Sequence, residues 1–298
     1  MSMRVGFLGL GRMGGLMAPR LLAAGLPLQV WARNRASTAP LAAKGAMVAQ
    51  TLADLVTGSD AIFAIVKDDP TAIELYEGAN GLLSEGAAGK LFVEMSTLKP
   101  ETVRRLGGAI AMRGGRLLEI PVMGSAQWAE AGQLVGLAGG TPDDIAAVEP
   151  ITRHLMRKVI NAGELGNGAL MKLAVNLVVC VYAEALTEAL ALGAAGGLDT
   201  SALIEALQES AVNAPFLTFK LDVLKGNSPP PEKITAAIAT VRKDLFSITS
   251  VASTLGVPVP AASAALATFS AACAAGWADR EFGDLANFYR QQMGMKKA

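Results

Sequence analysis

Apolar residues in the first half of the chain come in short, bounded runs. RVGFLG, LQVWAR, AIFAIV, KLFVEMS, GRLLEIPVMG, LVGLAGG and KVINAG are each rich in Val, Ile, Leu or Phe, and alanine-rich stretches of helical composition separate them. Strand-like runs alternating with helical segments predict βαβ units and a parallel sheet. After Gly163 such runs stop, and Ala, Leu, Glu and Lys patterns continue almost to the end, so the second half should be helical. Its clearest helix starts near Gly168 and reaches the pair Gly196–Gly197, with small and apolar residues on nearly every face. A helix apolar all round is expected to be central and buried, here joining the two halves and packing on both. The segment GNSPPPE, 226 to 232, predicts a loop, because three successive prolines cannot sit inside a helix.

The first run leads into a glycine motif. RVGFLGLGRMGGLMAPRLL predicts a strand ending at Leu8, a turn through Gly9, Leu10, Gly11, Arg12, Met13 and Gly14, and a helix from about Met13. That is GxGxxG between a strand and a helix, the context in which the pattern signals dinucleotide binding. Gly9 permits the tight turn, Gly11 lets backbone amides approach a pyrophosphate, and Gly14 lets helix and strand pack closely. The helix N-terminus then offers unpaired amides and the positive end of its dipole to the phosphates. Val66, closing the run AIFAIV, is counted with the cofactor-contacting positions.

When such a fold takes NAD, an acidic residue about 20 residues further on receives the ribose hydroxyls. Here the second run ends in Ala32-Arg33-Asn34-Arg35, and no acid occurs between Gly14 and Asp54. Arginine at this place can pair with a ribose 2′-phosphate through charge-assisted hydrogen bonds, so the expected cofactor is NADP(H), with NAD(H) as the weaker possibility. Either Arg33 or Arg35 can be the anchor. The competing account is a solvated loop that happens to carry two arginines.

Composition narrows the partners. Twenty-six basic and 26 acidic residues cancel and only 17% of the chain is charged, so no global field draws it to nucleic acid or anionic lipid, and a small-molecule partner is expected. Cys180 and Cys273 lie far apart in apolar runs, which predicts buried thiols in a reducing cytoplasm and neither a zinc site nor a disulfide framework. Lys172, Asn176, Glu184 and Glu188 interrupt the apolar stretch 169 to 196, arguing against a membrane span. The apolar helical half suits a homodimer or homotetramer.

Five motifs in order, GFLGLGRMGGLMA at the start, EMSTLKPET at 94 to 102, IPVMGSAQWAEAGQL at 120 to 134, GNGALMKLAVN at 166 to 176 and RKDL at 242 to 245, resemble the β-hydroxyacid dehydrogenase family over essentially the whole chain. The resemblance implies a Rossmann-type NADP-binding domain at 1–162, an all-helical domain for substrate and oligomerisation at 163–298, and an active site between them. It also implies a catalytic lysine at Lys172, a substrate-binding asparagine at Asn176, Lys243 near the nicotinamide, and Ser96 and Thr97 in the loop beside nicotinamide and substrate. Many members have serine where this chain has Met123, and that hydroxyl helps hold the substrate carboxylate. With Met123 in its place, the backbone amides at Gly124 and the Ser125 hydroxyl remain as an anion site, and the substrate end near Met123 and Trp128 should be more apolar.

The chemistry required of the protein is a proton, since a nicotinamide supplies only the hydride. Lys172 and Asn176 are four apart on one predicted helix, stacked where an ammonium and an amide can meet a carbonyl oxygen. Burial would bring the lysine toward a working pKa. The plain alternative is a surface lysine snorkelling from the first turns of its helix. His154, among basic residues in TRHLMRK, reads as a surface residue and not as the acid. The expected function is hydride transfer between NADP(H) and a small β-hydroxyacid or semialdehyde. Imine reduction and a non-catalytic NADP-binding scaffold are the alternatives.

Overall fold

The computed structural model describes residues 3–225, 227–230 and 234–294, so part of the expected loop at 226–232 lies outside the described residues. The chain forms two compact units, Met1–Leu173 and Ala174–Ala298.

The first unit starts with β1 Val5–Leu8, α1 Gly14–Ala23, β2 Leu28–Trp31, α2 Ala39–Ala42, β3 Met47–Val48, α3 Leu52–Thr57, β4 Ala61–Ala64 and α4 Asp69–Glu77. It continues with β5 Leu91–Glu94, α5 Pro100–Ala111, β6 Arg116–Glu119, β7 Val122–Met123, α6 Ala126–Ala131, β8 Leu134–Gly139, α7 Pro142–Thr152 and β9 Met156–Gly163. Strands run β3-β2-β1-β4-β5-β6 side by side, all parallel. Successive side chains of these strands point to opposite faces, and both faces are covered: Val5, Phe7, Phe63 and Val93 enter one core, and Leu8, Ile62 and Phe92 the other. Burial on both sides explains why the runs read as continuously apolar. This is a Rossmann-type domain.

The sheet is not parallel throughout. The run GRLLEIPVMG, one strand by its pattern, breaks at Pro121 into β6 and β7, and both pair antiparallel with β8. Proline donates no ladder hydrogen bond. The short connection through α6, closed by Gly132 at φ 67, returns the chain beside the strand it just left, which permits only antiparallel pairing. Two-residue β3 carries no periodicity long enough to read from sequence.

The second unit is helical in its described residues: most of α8 Asn167–Ala195, then α9 Thr200–Gln208, α10 Pro215–Leu224, α11 Ile238–Thr254, α12 Pro260–Ala272 and α13 Leu285–Gln292. The compact units divide inside α8, between Leu173 and Ala174, whereas the sequence motifs suggest 162/163. The first turn of α8 belongs with the sheet because Ala169 is packed into its second core.

Helix α8 departs from its expected all-round burial. Cys180, Leu186 and Leu190 are buried, but Val178 is 66% and Leu192 77% exposed in the single chain. By length and composition the helix could cross a membrane. Two of its polar positions are engaged within the helical unit: Asn176 bonds to Asp244 on α11, and buried Glu184 accepts from the Tyr289 hydroxyl on α13 at 2.7 Å. Of the two cysteines, Cys180 is buried as expected, whereas Cys273 is only half-buried.

Candidate active site

The glycine turn after β1 has the geometry its spacing implies. Gly9 takes φ 96, and a Cβ there would stand 2.0 Å from the Ile65 carbonyl oxygen. A Cβ on Gly14 would stand 1.9 Å from the carbonyl oxygen of Gly9, so helix α1 and the turn touch backbone to backbone. Gly11 differs: a Cβ there would meet nothing within 4 Å. The open space over Gly11 adjoins the start of α1, whose first turn carries no acid and whose N-terminus has no side-chain cap. Uncapped amides beside an unfilled cradle suit a diphosphate. Leu10, Arg12 and Met13 complete the turn, and α1 starts at Gly14, one residue after the expected position.

At the end of β2 the three polar residues divide their duties. Arg35 is committed to the fold, with Nη1 donating to the Ala49 carbonyl at 2.6 Å and Nη2 to the Gln50 carbonyl. The Asn34 side chain accepts from the Ala36 amide at 3.1 Å, capping the short 3-10 turn Arg35–Thr38. Among the described residues Arg33 reaches Glu74 of α4, at 3.2 Å, with both side chains mostly exposed. Exposed pairs of that kind contribute little and yield readily to a stronger anion.

Beyond β4 and β5 a pair of loops is bolted together. The Val66 amide donates to the Ser96 Oγ at 2.6 Å, and the Ser96 amide donates to Oε1 of Glu94 at 2.9 Å. Ser96 is therefore occupied in joining the loops, and Thr97 follows it in the chain. Glu94 closes β5 and is buried beside the Tyr76 hydroxyl, where burial pushes its carboxyl up to about 7 against the pull of its hydrogen bonds. Sequence reasoning missed Glu94, although an acid ending the apolar run KLFVE was a visible signal.

Lys172 is half-buried, one turn before Asn176 on the continuous helix α8. Within the helical unit, Asn176 Nδ2 donates to Asp244 Oδ2 at 2.9 Å, and Lys243 Nζ lies 2.8 Å from Asp244 Oδ1. Asp244, not anticipated, thus orients Asn176 and steadies Lys243 together. A third unanticipated acid, Glu119, ends β6.

The loop after β7 is strained in the manner glycine allows, with Gly124 at φ 130. Ser125 stands before α6 without capping it, and its Oγ is buried with no hydrogen-bond partner. Met123 is half-buried. Trp128 packs against the first core, and the Arg157 guanidinium lies 5.5 Å from its ring centre, a packing role. The His154 backbone carbonyl accepts from Arg20 at 2.8 Å, far along the chain from these loops.

Residues 4–163 match the family described as the NAD binding domain of 6-phosphogluconate dehydrogenase, and residues 166–289 match the NAD-binding domain of NADP-dependent 3-hydroxyisobutyrate dehydrogenase. Glyoxylate/succinic semialdehyde reductase 1 of Arabidopsis thaliana is 32% identical over 94% of this chain and 96% of its own length. The chain belongs to the β-hydroxyacid dehydrogenase family. A second relative, 3-hydroxyisobutyrate dehydrogenase of Pseudomonas aeruginosa, is 33% identical over 70% of each chain. The crystal structure of 3-hydroxyisobutyrate dehydrogenase from Salmonella typhimurium superimposes with a TM-score of 0.86 at 24% identity, covering 96% of this chain and 100% of that one, which shows the shared fold. This member of the family is accordingly an NAD(P)-dependent dehydrogenase acting on a CH–OH group.

Proposed function

We propose that this β-hydroxyacid dehydrogenase works with NADP(H) and interconverts a small carboxylate-bearing aldehyde or semialdehyde with its hydroxy acid. Arg33 carries the cofactor preference: it is the arginine at the end of β2 whose guanidinium is held, among the described residues, by an exposed carboxylate, while Arg35 is spent on two backbone carbonyls. A ribose 2′-phosphate offers Arg33 a stronger, bidentate partner than Glu74 does.

The nicotinamide, when bound, supplies or accepts the hydride. Lys172 gives a proton to the carbonyl oxygen as it becomes an alkoxide, and takes it back in oxidation. Asn176, aimed by Asp244, orients the same oxygen. The Gly9–Gly14 turn holds the diphosphate, while Val66 and Thr97 contact the nicotinamide end; Lys243 is assigned to the cofactor through its motif RKDL. The substrate carboxylate lies against Ser96, Gly124 and Ser125, whose orphaned Oγ needs a partner of this kind. Met123 makes the pocket less polar than a serine there would. The exposed Val178 and Leu192 on α8 support a homodimer or homotetramer, which light scattering on the purified protein tests.

Glyoxylate, succinic semialdehyde and 3-hydroxyisobutyrate, each assayed with both cofactors, form the deciding panel. The expectation is turnover of at least one, with kcat/KM at least about tenfold higher for the NADP(H) pair, the scale of one charge-assisted contact. Equal use of both cofactors would refute the Arg33 assignment, and no turnover of any of the three would refute the substrate class.

A further inference from the structure

Glu119 closes β6 in register with Glu94 on β5 and is 1% exposed. Its carboxylate points at the entry to α8. Oε1 accepts from the amides of Gly166, at 2.5 Å, and Gly168, at 3.0 Å, and Oε2 accepts from the amide of Ala169 at 2.8 Å. The first amides of a helix lack intrahelical partners, and a carboxylate among them meets both their hydrogen bonds and the positive end of the dipole. Two glycines make room for it: a Cβ on Gly139 would lie 2.2 Å from Oε1, and one on Gly168 3.0 Å from Cδ. Arg104 of α5 is the cation facing it, with Nε donating to the Leu165 carbonyl at 3.2 Å.

Lys172 follows Ala169 by three residues on the same helix and in the same compact unit. At 1.5 Å of rise per residue its Cα is only about 4.5 Å further along the axis. Whatever fixes the first turn in position and rotation therefore fixes the direction in which the Lys172 ammonium projects. The turn has no acidic residue of its own to do this.

We infer that Glu119 is a positioning residue for the reduction: by gripping three amides of the first turn of α8 from the end of β6, it sets where Lys172 stands relative to the sheet that carries the glycine turn. The inference rests on the reading of Lys172 as the proton donor. A grip made of three amide hydrogen bonds to one buried carboxyl is stiff enough for the purpose, since a proton donor displaced by about 1 Å can lose on the order of 100-fold in rate.

Glu119→Gln replaces one carboxylate oxygen with an NH₂ that must face an amide donor, so the grip becomes partly repulsive. Two measurements on the intact chain test the inference: backbone hydrogen exchange by mass spectrometry, and kcat with glyoxylate or succinic semialdehyde alongside the Kd of NADPH. Exchange in residues 166–172 should accelerate at least tenfold while residues 5–14 exchange as in the parent; kcat should fall at least tenfold, with the NADPH Kd within twofold. Unchanged exchange at 166–172, or faster exchange with parental kcat, overturns the inference. If the Gln variant does not fold, Glu119→Asp, which withdraws the charge by one methylene, is measured in the same way with the same losses expected, and parental exchange and kcat in it overturn the inference. A Lys172→Ala variant that keeps full activity would sink the catalytic reading itself, and with it the positioning role, whereas exchange in the Glu119 variants still reports whether the grip exists.

Discussion

Two helices that start within the sheet unit, α1 after β1 and α8 after β9, meet opposite fates at their N-termini. At α1 no side chain caps the amides, and the space over Gly11 is open. At α8 the amides of residues 166, 168 and 169 are filled by Glu119 from the protein itself. Unpaired N–H groups and a dipole attract an anion in both places. One end stays open, with room for an anion; the other is satisfied by the chain itself, and the helix it anchors carries a lysine. An empty helix N-terminus thus marks a place for a ligand only when the chain supplies no carboxylate of its own.

The comparison breaks most visibly at Lys172. Lys172→Ala should lower kcat by about 10²–10⁴, the usual worth of general acid–base catalysis, while NADPH binding, which depends on the open helix end, keeps its Kd. Steady-state kinetics beside a fluorescence titration checks this, and a kcat near the parent's would make the lysine structural.

Converting the open end into the filled kind is the next test. Gly11→Asp places a carboxylate where nothing lies within 4 Å, at a residue without positive φ, so the fold should tolerate it. NADPH affinity should fall on the order of 100-fold through repulsion of the diphosphate and occupation of its amides. Retained affinity with an unchanged Tm would show that the cofactor does not use this turn.

Arg33→Asp probes the far end of the same cofactor. It should weaken NADPH by about 1.5–3 kcal/mol and NADH much less, as read by paired titrations. Arg35→Ala should instead lower Tm, since Arg35 ties the 3-10 turn to residues 49 and 50. Loss of NADPH selectivity in the Arg35 variant alone would reverse the assignment.

The smallest effect concerns Glu94, the neighbour of Glu119. Glu119 sets both its oxygens against amides, whereas Glu94 Oε1 accepts from the Ser96 amide with the Tyr76 hydroxyl beside the carboxyl, and burial pushes both groups up to about 7. The Glu94 carboxyl titrates near 7 in the folded protein, above its ordinary value, so the folded state favours the protonated form. The stabilisation this brings is complete below the ordinary carboxylate range and is lost as pH rises through about 7. Glu94→Gln, neutral at every pH, should therefore raise Tm by roughly 3–6 °C at pH 8 and change it little at pH 5. Equal shifts at the two pH values would show that the ionisation is not what matters.

How legible this was from the sequence can be judged residue by residue. The strands of the parallel part other than β3, the glycine turn and the start of the helical half were readable, because each follows from local sequence: short apolar runs buried on both faces, and a turn only glycine can make. The antiparallel return through β7 and β8 was not, since pairing direction depends on which strand the chain meets after Pro121. Nor was the exposure of Val178 and Leu192, because composition counts apolar residues without saying what covers them.

The site divides along the same line. Sequence alone determined the dinucleotide turn, the absence of an acid after β2 and the order of motifs that carries the family. Only the tertiary structure decided that Arg35 is consumed by the carbonyls of residues 49 and 50 while Arg33 stays exposed, and that Asp244 aims Asn176 across 68 residues of chain. Likewise it alone decided that Glu119 reaches 50 residues ahead to the amide of Ala169. The physical reason is range: a turn or a period is set by neighbours in sequence, whereas the partner of a buried charge is whichever group the fold brings within hydrogen-bond distance.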